Sequence, residues 1–145
     1  MIELSKEQIK EITERLEIGE KCFVHMHTQE LVCYPDPLKY LDFDEEFYQE
    51  EMQKVEENGQ DYLEIEGMDS REGFQLMEDF AQQLTSSSLQ EQLYRALSQK
   101  KPFQHFKHEI DNSGEYRQIW FAFKNQKMID WVKVKIDQFN QAWEE

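Results

Sequence analysis

The stretch CFVHMHTQELVCY, residues 22–34, decides how the chain is read. Apolar and aromatic residues crowd both of its ends, and residues 22–27 and 30–34 read as two strands of a hairpin turning at Thr28-Gln29, although these are not the residues a two-residue turn favours. In that register Val24 opposes Cys33, His25 opposes Val32 and Met26 opposes Leu31. Alternation along a pleated strand then puts Cys22, Val24, Met26, Leu31 and Cys33 on one face, the expected core side, with His25 and His27 on the other.

Upstream of the hairpin the signals are helical. Ser5 and Gln8 form a capping box, Leu4 is placed to staple onto Ile9, and Ile9, Ile12 and Leu16 make one apolar stripe that Gly19 ends. Downstream, Pro35-Asp36-Pro37 breaks the strand because neither proline donates to a ladder, and residues 38–43 lead irregularly to a second helix capped by Asp44. Tyr48, Met52 and Val55 recur there at helical spacing, with acids on the remaining faces and Asn58-Gly59 as the stop. Leu63 and Ile65, alternating with Glu64 and Glu66, predict a third strand that is half solvated.

From residue 69 the pattern is helical throughout. Asp69 with Glu72 forms another capping box ahead of the stripe Phe74, Met77, Phe80, Ala81 and Leu84. Residues 85–88 read as a linker, and Ser88 with Glu91 opens a helix that buries Leu89, Leu93 and Leu97. Pro102 starts a short helix with Phe103, Phe106 and Ile110, which residues 112–114 close. The last segment carries Ile119, Trp120, Phe123, Met128, Trp131, Val132, Ile136, Phe139 and Trp143, with Asn125 as a point of interruption or recapping. These elements predict an α+β fold in a single domain, residues 1–145: a small three-stranded antiparallel sheet packed with helices, followed by a mostly helical C-terminal half.

Among 145 residues, 31 acids outweigh 16 bases for a formal charge of −15, while 13% aromatic content argues for a folded chain rather than a disordered one. No apolar run reaches the roughly 18 to 20 residues a bilayer crossing needs, and residues 1–10 lack the layout of a signal peptide. Two cysteines fit a reducing compartment. The expectation is a cytoplasmic protein of bacterial type with no membrane partner. The charge is uneven, since residues 1–79 hold 23 acids and 7 bases while residues 80–145 hold 8 acids and 9 bases.

Several constellations suggest chemistry and fail on spacing. Cys22, His25, His27 and Cys33 offer four zinc-ligand types, yet the pleat sends the cysteines and the histidines to opposite faces. His105 and Glu109 share an i, i+4 face, but the histidines 105 and 108 are three apart, which is not the zincin pattern. Asp42, Asp44 and Glu46 resemble the start of a calcium loop whose turn glycine is replaced by Phe47 and whose closing glutamate is replaced by Gln53. The five glycines are scattered, so there is no phosphate-binding loop, and no cysteine or serine sits in a nucleophile motif. Nothing positive supports an enzyme, no cofactor is expected, and no catalytic, cofactor-binding or metal residues are assigned.

Residues 95–135 concentrate nine bases against four acids: Arg95, Lys100, Lys101, Lys107, Arg117, Lys124, Lys127, Lys133 and Lys135. Six of them, Lys100, Lys101, Lys107, Arg117, Lys124 and Lys127, are the candidate interaction surface. Beside them stands a run of spaced residues, Met77-Glu78-Asp79-Phe80, Leu93, Ala96-Leu97, Pro102-Phe103, Phe106-Lys107, Trp120, Phe121, Phe123 and Trp131. This pattern resembles the bacterial uncharacterised protein family UPF0158. The resemblance covers roughly half the chain well and the third strand more loosely, and it implies a small cytoplasmic protein without an assigned activity or site. Where that family tends to have a glycine in the hairpin turn and an arginine after Trp-x-x-Phe, this chain has Thr28-Gln29 and Lys124.

The functional expectation is a non-enzymatic interaction or adaptor module whose acidic surface suits a cationic protein partner. The alternative is a nucleic-acid-associated protein using the basic C-terminal helices, disfavoured because a net negative charge repels phosphate backbones. A hydrolase with an unrecognised carboxylate site is the third.

Overall fold

A computed structural model describes residues 1–144. It contains six α-helices, α1 (Lys6–Glu17), α2 (Glu45–Glu57), α3 (Ser70–Gln83), α4 (Ser87–Leu97), α5 (Pro102–Asp111) and α6 (Tyr116–Glu144), with strands β1 (Glu20–His25), β2 (Leu31–Pro35) and β3 (Tyr62–Ile65). The sheet is antiparallel in the order β2-β1-β3. The fold is therefore α+β with a helical C-terminal half. The chain divides into two compact units, residues 1–67 with 128–145 and residues 68–127.

In the first unit, both faces of the sheet are covered. Cys22 and Val24 of β1 and Ile65 of β3 pack with Ile2, with Ile12 of α1 and with Val132 and Ile136 of α6. The opposite face carries Phe23, Val32 and Tyr34, against which Tyr48, Met52 and Val55 of α2 and Tyr62 of β3 pack. The alternation that marks one core face thus marks two, and the face bearing His25 is largely apolar rather than polar. Residue Asn140 holds the N-terminus by donating to the Ile2 carbonyl (2.9 Å) while its Oδ1 accepts from the Ile2 amide (2.8 Å). The Trp131 indole donates to the Glu66 carbonyl at 2.9 Å.

The hairpin register differs from the sequence expectation. Cys22 opposes Cys33, Phe23 opposes Val32 and Val24 opposes Leu31, because the connection is longer than two residues and Gln29 takes a positive φ of 63°. The His25 amide donates to the Glu30 carbonyl at 2.9 Å and closes this longer turn. A shift of two residues preserves the parity of the pleat, so Cys22, Val24, Leu31 and Cys33 keep their common face. Gly19, expected as a stop, has a φ of 87° and no room for a side chain beneath the Tyr40 ring.

The second unit is built around aromatic rings. Phe80 and Phe106 meet Trp120 edge-on at centroid distances of 5.1 and 4.9 Å, inside a cluster with Leu76, Met77, Leu93, Leu97 and Ile110. The Asp69–Glu72 capping box is formed as expected. Helix α4 starts earlier than expected, because its N-cap is Ser86, which accepts from the Leu89 amide, rather than Ser88 in a box with Glu91. Helix α6 runs through Asn125 without interruption. An exposed asparagine costs a helix under about 1 kcal/mol, which burial of Trp120 before it and of Met128 and Val132 after it exceeds. Phe103, Ile119 and Trp143, expected in buried stripes, are exposed.

This packing separates residues of equal hydrophobicity. Phe80→Ala is expected to cost about 3–5 kcal/mol in urea denaturation, whereas Phe103→Ala should cost well under half of that.

Candidate functional site

The two units differ sharply in charge. Residues 1–67 and 128–145 carry 23 acids and 8 bases, a net charge of −15; residues 68–127 carry 8 acids and 8 bases, net zero. The whole formal charge of the chain therefore belongs to the first unit, and the six basic candidates all fall in the second. The resolved ionisation shifts outside the cysteines agree with this. The Tyr34 phenol is pushed up by burial and then by Glu64, Glu56 and Asp36. Arg15 and Lys54 hold their protons more firmly beside Glu20 and Glu30.

On this acidic unit the connection between β2 and α2 presents an apolar surface. Asp36 shapes it: its Oδ1 accepts from the Leu38 amide at 2.9 Å, and its carbonyl accepts from the amides of Lys39 and Tyr40. The Tyr40 hydroxyl donates to the Ile18 carbonyl at 3.3 Å, tying the loop to the turn after α1. Asp44 caps α2 by accepting from the Phe47 amide, which places Phe47 in the first turn, next to Tyr48 of the half-buried stripe. With the loop so fixed, Leu38 is 89% exposed, Leu41 83% and Phe47 72%, and Ile18 is exposed nearby. Ile18, Glu20 and Pro35 form, with residues 39–43, the walls of an open groove of about 450 Å³. Asp36, Asp42, Asp44, Glu45 and Glu46 surround these apolar side chains in the sequence, and Glu45, Glu46, Glu56 and Glu57 line a second concavity along α2 with Met52.

The basic candidates are arranged differently. Lys100 and Lys101 are exposed at the turn between α4 and α5, where Lys101 has a φ of 54°, an uncommon conformation for a side-chain-bearing residue. Lys107 lies exposed on α5. Arg117 is engaged twice, by Asp111 at 3.3 Å and over the Phe121 ring at 4.7 Å from its centroid. Lys127 sits over the Phe123 ring at 5.5 Å, and Lys124 is half-buried. The second unit thus has basic groups at a turn, on α5 and on the first half of α6, with Arg117 and Lys127 engaged by neighbours.

The histidines and cysteines form no metal centre among the described residues, where no three of His, Cys, Asp and Glu converge to hold an ion. His25 instead packs edge-on against Tyr62, and its Nδ1 accepts from the amides of His27 and Thr28. Sequence reasoning passed over residues 38–43 as an irregular connection and Phe47 as an unremarked position of the helix that follows. The available signal was the presence of Leu38, Leu41 and Phe43 in a stretch that matches neither strand nor helix periodicity, and of Phe47 off the helical stripe of Tyr48, Met52 and Val55, since apolar residues outside a buried period have no obvious core to join.

With these features in view, the profile of the uncharacterised protein family UPF0158 matches residues 36–145, and the chain belongs to that family. The matched stretch begins at the apolar loop and includes the six basic candidates, while Ile18, Glu20 and Pro35 of the groove lie ahead of it. The chain is similar to the UPF0158 protein PA5073 of Pseudomonas aeruginosa, 29% identical over 70 residues, which are 48% of this chain and 46% of that protein. The aligned stretch thus spans about half the length of this curated relative. No solved structure matches the chain. Among the described residues, no helix is long and apolar enough to cross a membrane.

The environment of Tyr34 sets a pH dependence. A folded-state pKa above the ordinary phenol value of 10.0 means the native state keeps the proton longer than the unfolded chain. The associated stability is fully present below the unfolded pKa and is lost as pH rises through the folded one. Tyr34→Phe should reduce the fall in urea midpoint above pH 10, and ultraviolet titration of the parent chain should show a phenol ionising later than free tyrosine.

Proposed function

We propose that the chain is a non-enzymatic protein-interaction module that receives a basic amphipathic segment of a partner protein on the acid-rimmed loop of its first unit. The observation that carries this reading is the conjunction of Leu38, Leu41 and Phe47, all more exposed than a folding role explains, with the −15 charge of the same unit. An apolar patch bordered by one sign of charge matches a partner with apolar anchors flanked by Lys or Arg: desolvating the patch supplies affinity, and the acidic field supplies steering and selectivity. The Tyr40 tether and the Asp36 turn support it further, because a surface held in place before binding loses less conformational entropy on association.

A nucleic-acid role for Lys100, Lys101 and Lys107 is the second reading, favoured by their common exposure at α5 and the turn before it. The acidic field opposes it, and Arg117 is already paired with Asp111.

Affinity purification from the native host, with nuclease treatment and in parallel with two variants, distinguishes these readings. A partner retained after nuclease, weakened by rising salt and reduced at least about tenfold by Leu41→Ser with Phe47→Ser, is the expected result. A partner set lost on nuclease treatment and abolished by Lys100→Glu with Lys101→Glu would overturn it.

A further inference from the structure

We propose that Cys22 and Cys33 are a peroxide-oxidisable dithiol that closes reversibly to an intramolecular disulfide across the β1–β2 hairpin. This inference is independent of the docking surface, and both residues lie ahead of the stretch matched by the family profile. The two cysteines are direct cross-strand partners, and their Sγ atoms are 3.4 Å apart. The bond from the His25 amide to the Glu30 carbonyl makes residues 25 and 30 a hydrogen-bonded pair, so alternation along the ladder makes 22 and 33 a non-hydrogen-bonded pair. Such pairs hold their Cα atoms about 4.5 Å apart, within the range of roughly 4.4–6.8 Å that a disulfide spans. Bridging therefore asks for side-chain rotation rather than a new backbone register.

The two thiols have unequal environments that suit consecutive roles. Cys22 is fully buried, with its S–H directed to the Ile12 carbonyl at 3.9 Å, while Cys33 is half-buried at the edge of the same core. The contact with the Cys22 sulfur favours the Cys33 thiolate first of all, and the Arg15 guanidinium also favours it, against the opposing effects of burial and Glu20. The same contact, with burial, pushes the Cys22 thiol up, so Cys22 keeps its proton. Cys33 is the sulfur that meets the oxidant, and Cys22 the one that resolves it.

With hydrogen peroxide as oxidant the electrons and atoms balance. The Cys33 thiolate attacks one peroxide oxygen, the O–O bond breaks, and the departing hydroxide takes a proton to leave as water. Cys22 sulfur then attacks the sulfur of the Cys33 sulfenic acid, the S–O bond breaks, and the Cys22 proton leaves with that hydroxide as a second water. Two thiols are oxidised to one disulfide while one peroxide is reduced to two waters, and an external dithiol reverses the change by exchange.

The test uses the reduced chain and hydrogen peroxide, read by intact mass and by thiol titration in denaturant. The expected product is monomeric, has lost the mass of two hydrogen atoms and both titratable thiols, and recovers them with dithiothreitol. In Cys22→Ala, Cys33 should stop as a sulfenic acid trapped by dimedone. In Cys33→Ala, the buried Cys22 should react at least about tenfold more slowly than Cys33 does, with circular dichroism confirming that both variants fold. Retention of both thiols under excess peroxide, or addition of oxygen to the parent chain without a bond between residues 22 and 33, would overturn the proposal.

Discussion

The first unit depends on a central strand that has no solvent-facing side. In β1 the consecutive residues Cys22, Phe23 and Val24 are all buried, so the pleat sends apolar groups in both directions and each direction needs a cover. Ile12 of α1 with Val132 and Ile136 of α6 supply one, and Tyr48, Met52 and Val55 of α2 supply the other. Packing α2 on the second face commits its apolar stripe inward. Its remaining faces, with Glu45, Glu46, Glu50, Glu56 and Glu57, are left to water, where carboxylates avoid the cost of desolvation.

That constraint also explains why the candidate surface lies where it does. The chain must pass from the end of β2, whose last residue is Pro35, to the start of α2, and Pro37, with no amide to donate, keeps it from extending the strand. The Asp36 turn and the Tyr40 hydroxyl hold the connecting residues against the turn after α1. Leu38 and Leu41 then remain outside every hydrophobic cluster of the unit. A conformation that is fixed by hydrogen bonds yet displays leucines is costly for solubility and useful for recognition.

Much of the architecture was legible because it rests on short-range rules. Ser5 with Gln8 and Asp69 with Glu72 signal helix starts through local hydrogen bonds, and Ile9, Ile12 and Leu16 signal a face through spacing alone. What escaped was decided at longer range or by a single backbone angle. The register of the hairpin turned on the positive φ of Gln29, and the continuity of α6 through Asn125 on packing to either side of it. The apolar face of β1 bearing Phe23 was hidden because a strand buried on both sides loses the alternation that betrays a strand buried on one. The candidate basic surface was legible as composition only: the commitment of Arg117 to Asp111 and Phe121 is a matter of three-dimensional neighbours.

Amide hydrogen exchange of the full chain, alone and with a partner captured after nuclease treatment, tests the account most directly. The account predicts slowed exchange confined to residues 38–47 and the turn after α1, with residues 100–107 unchanged. Slowed exchange at residues 100–107, with residues 38–47 exchanging as in the free chain, would contradict it.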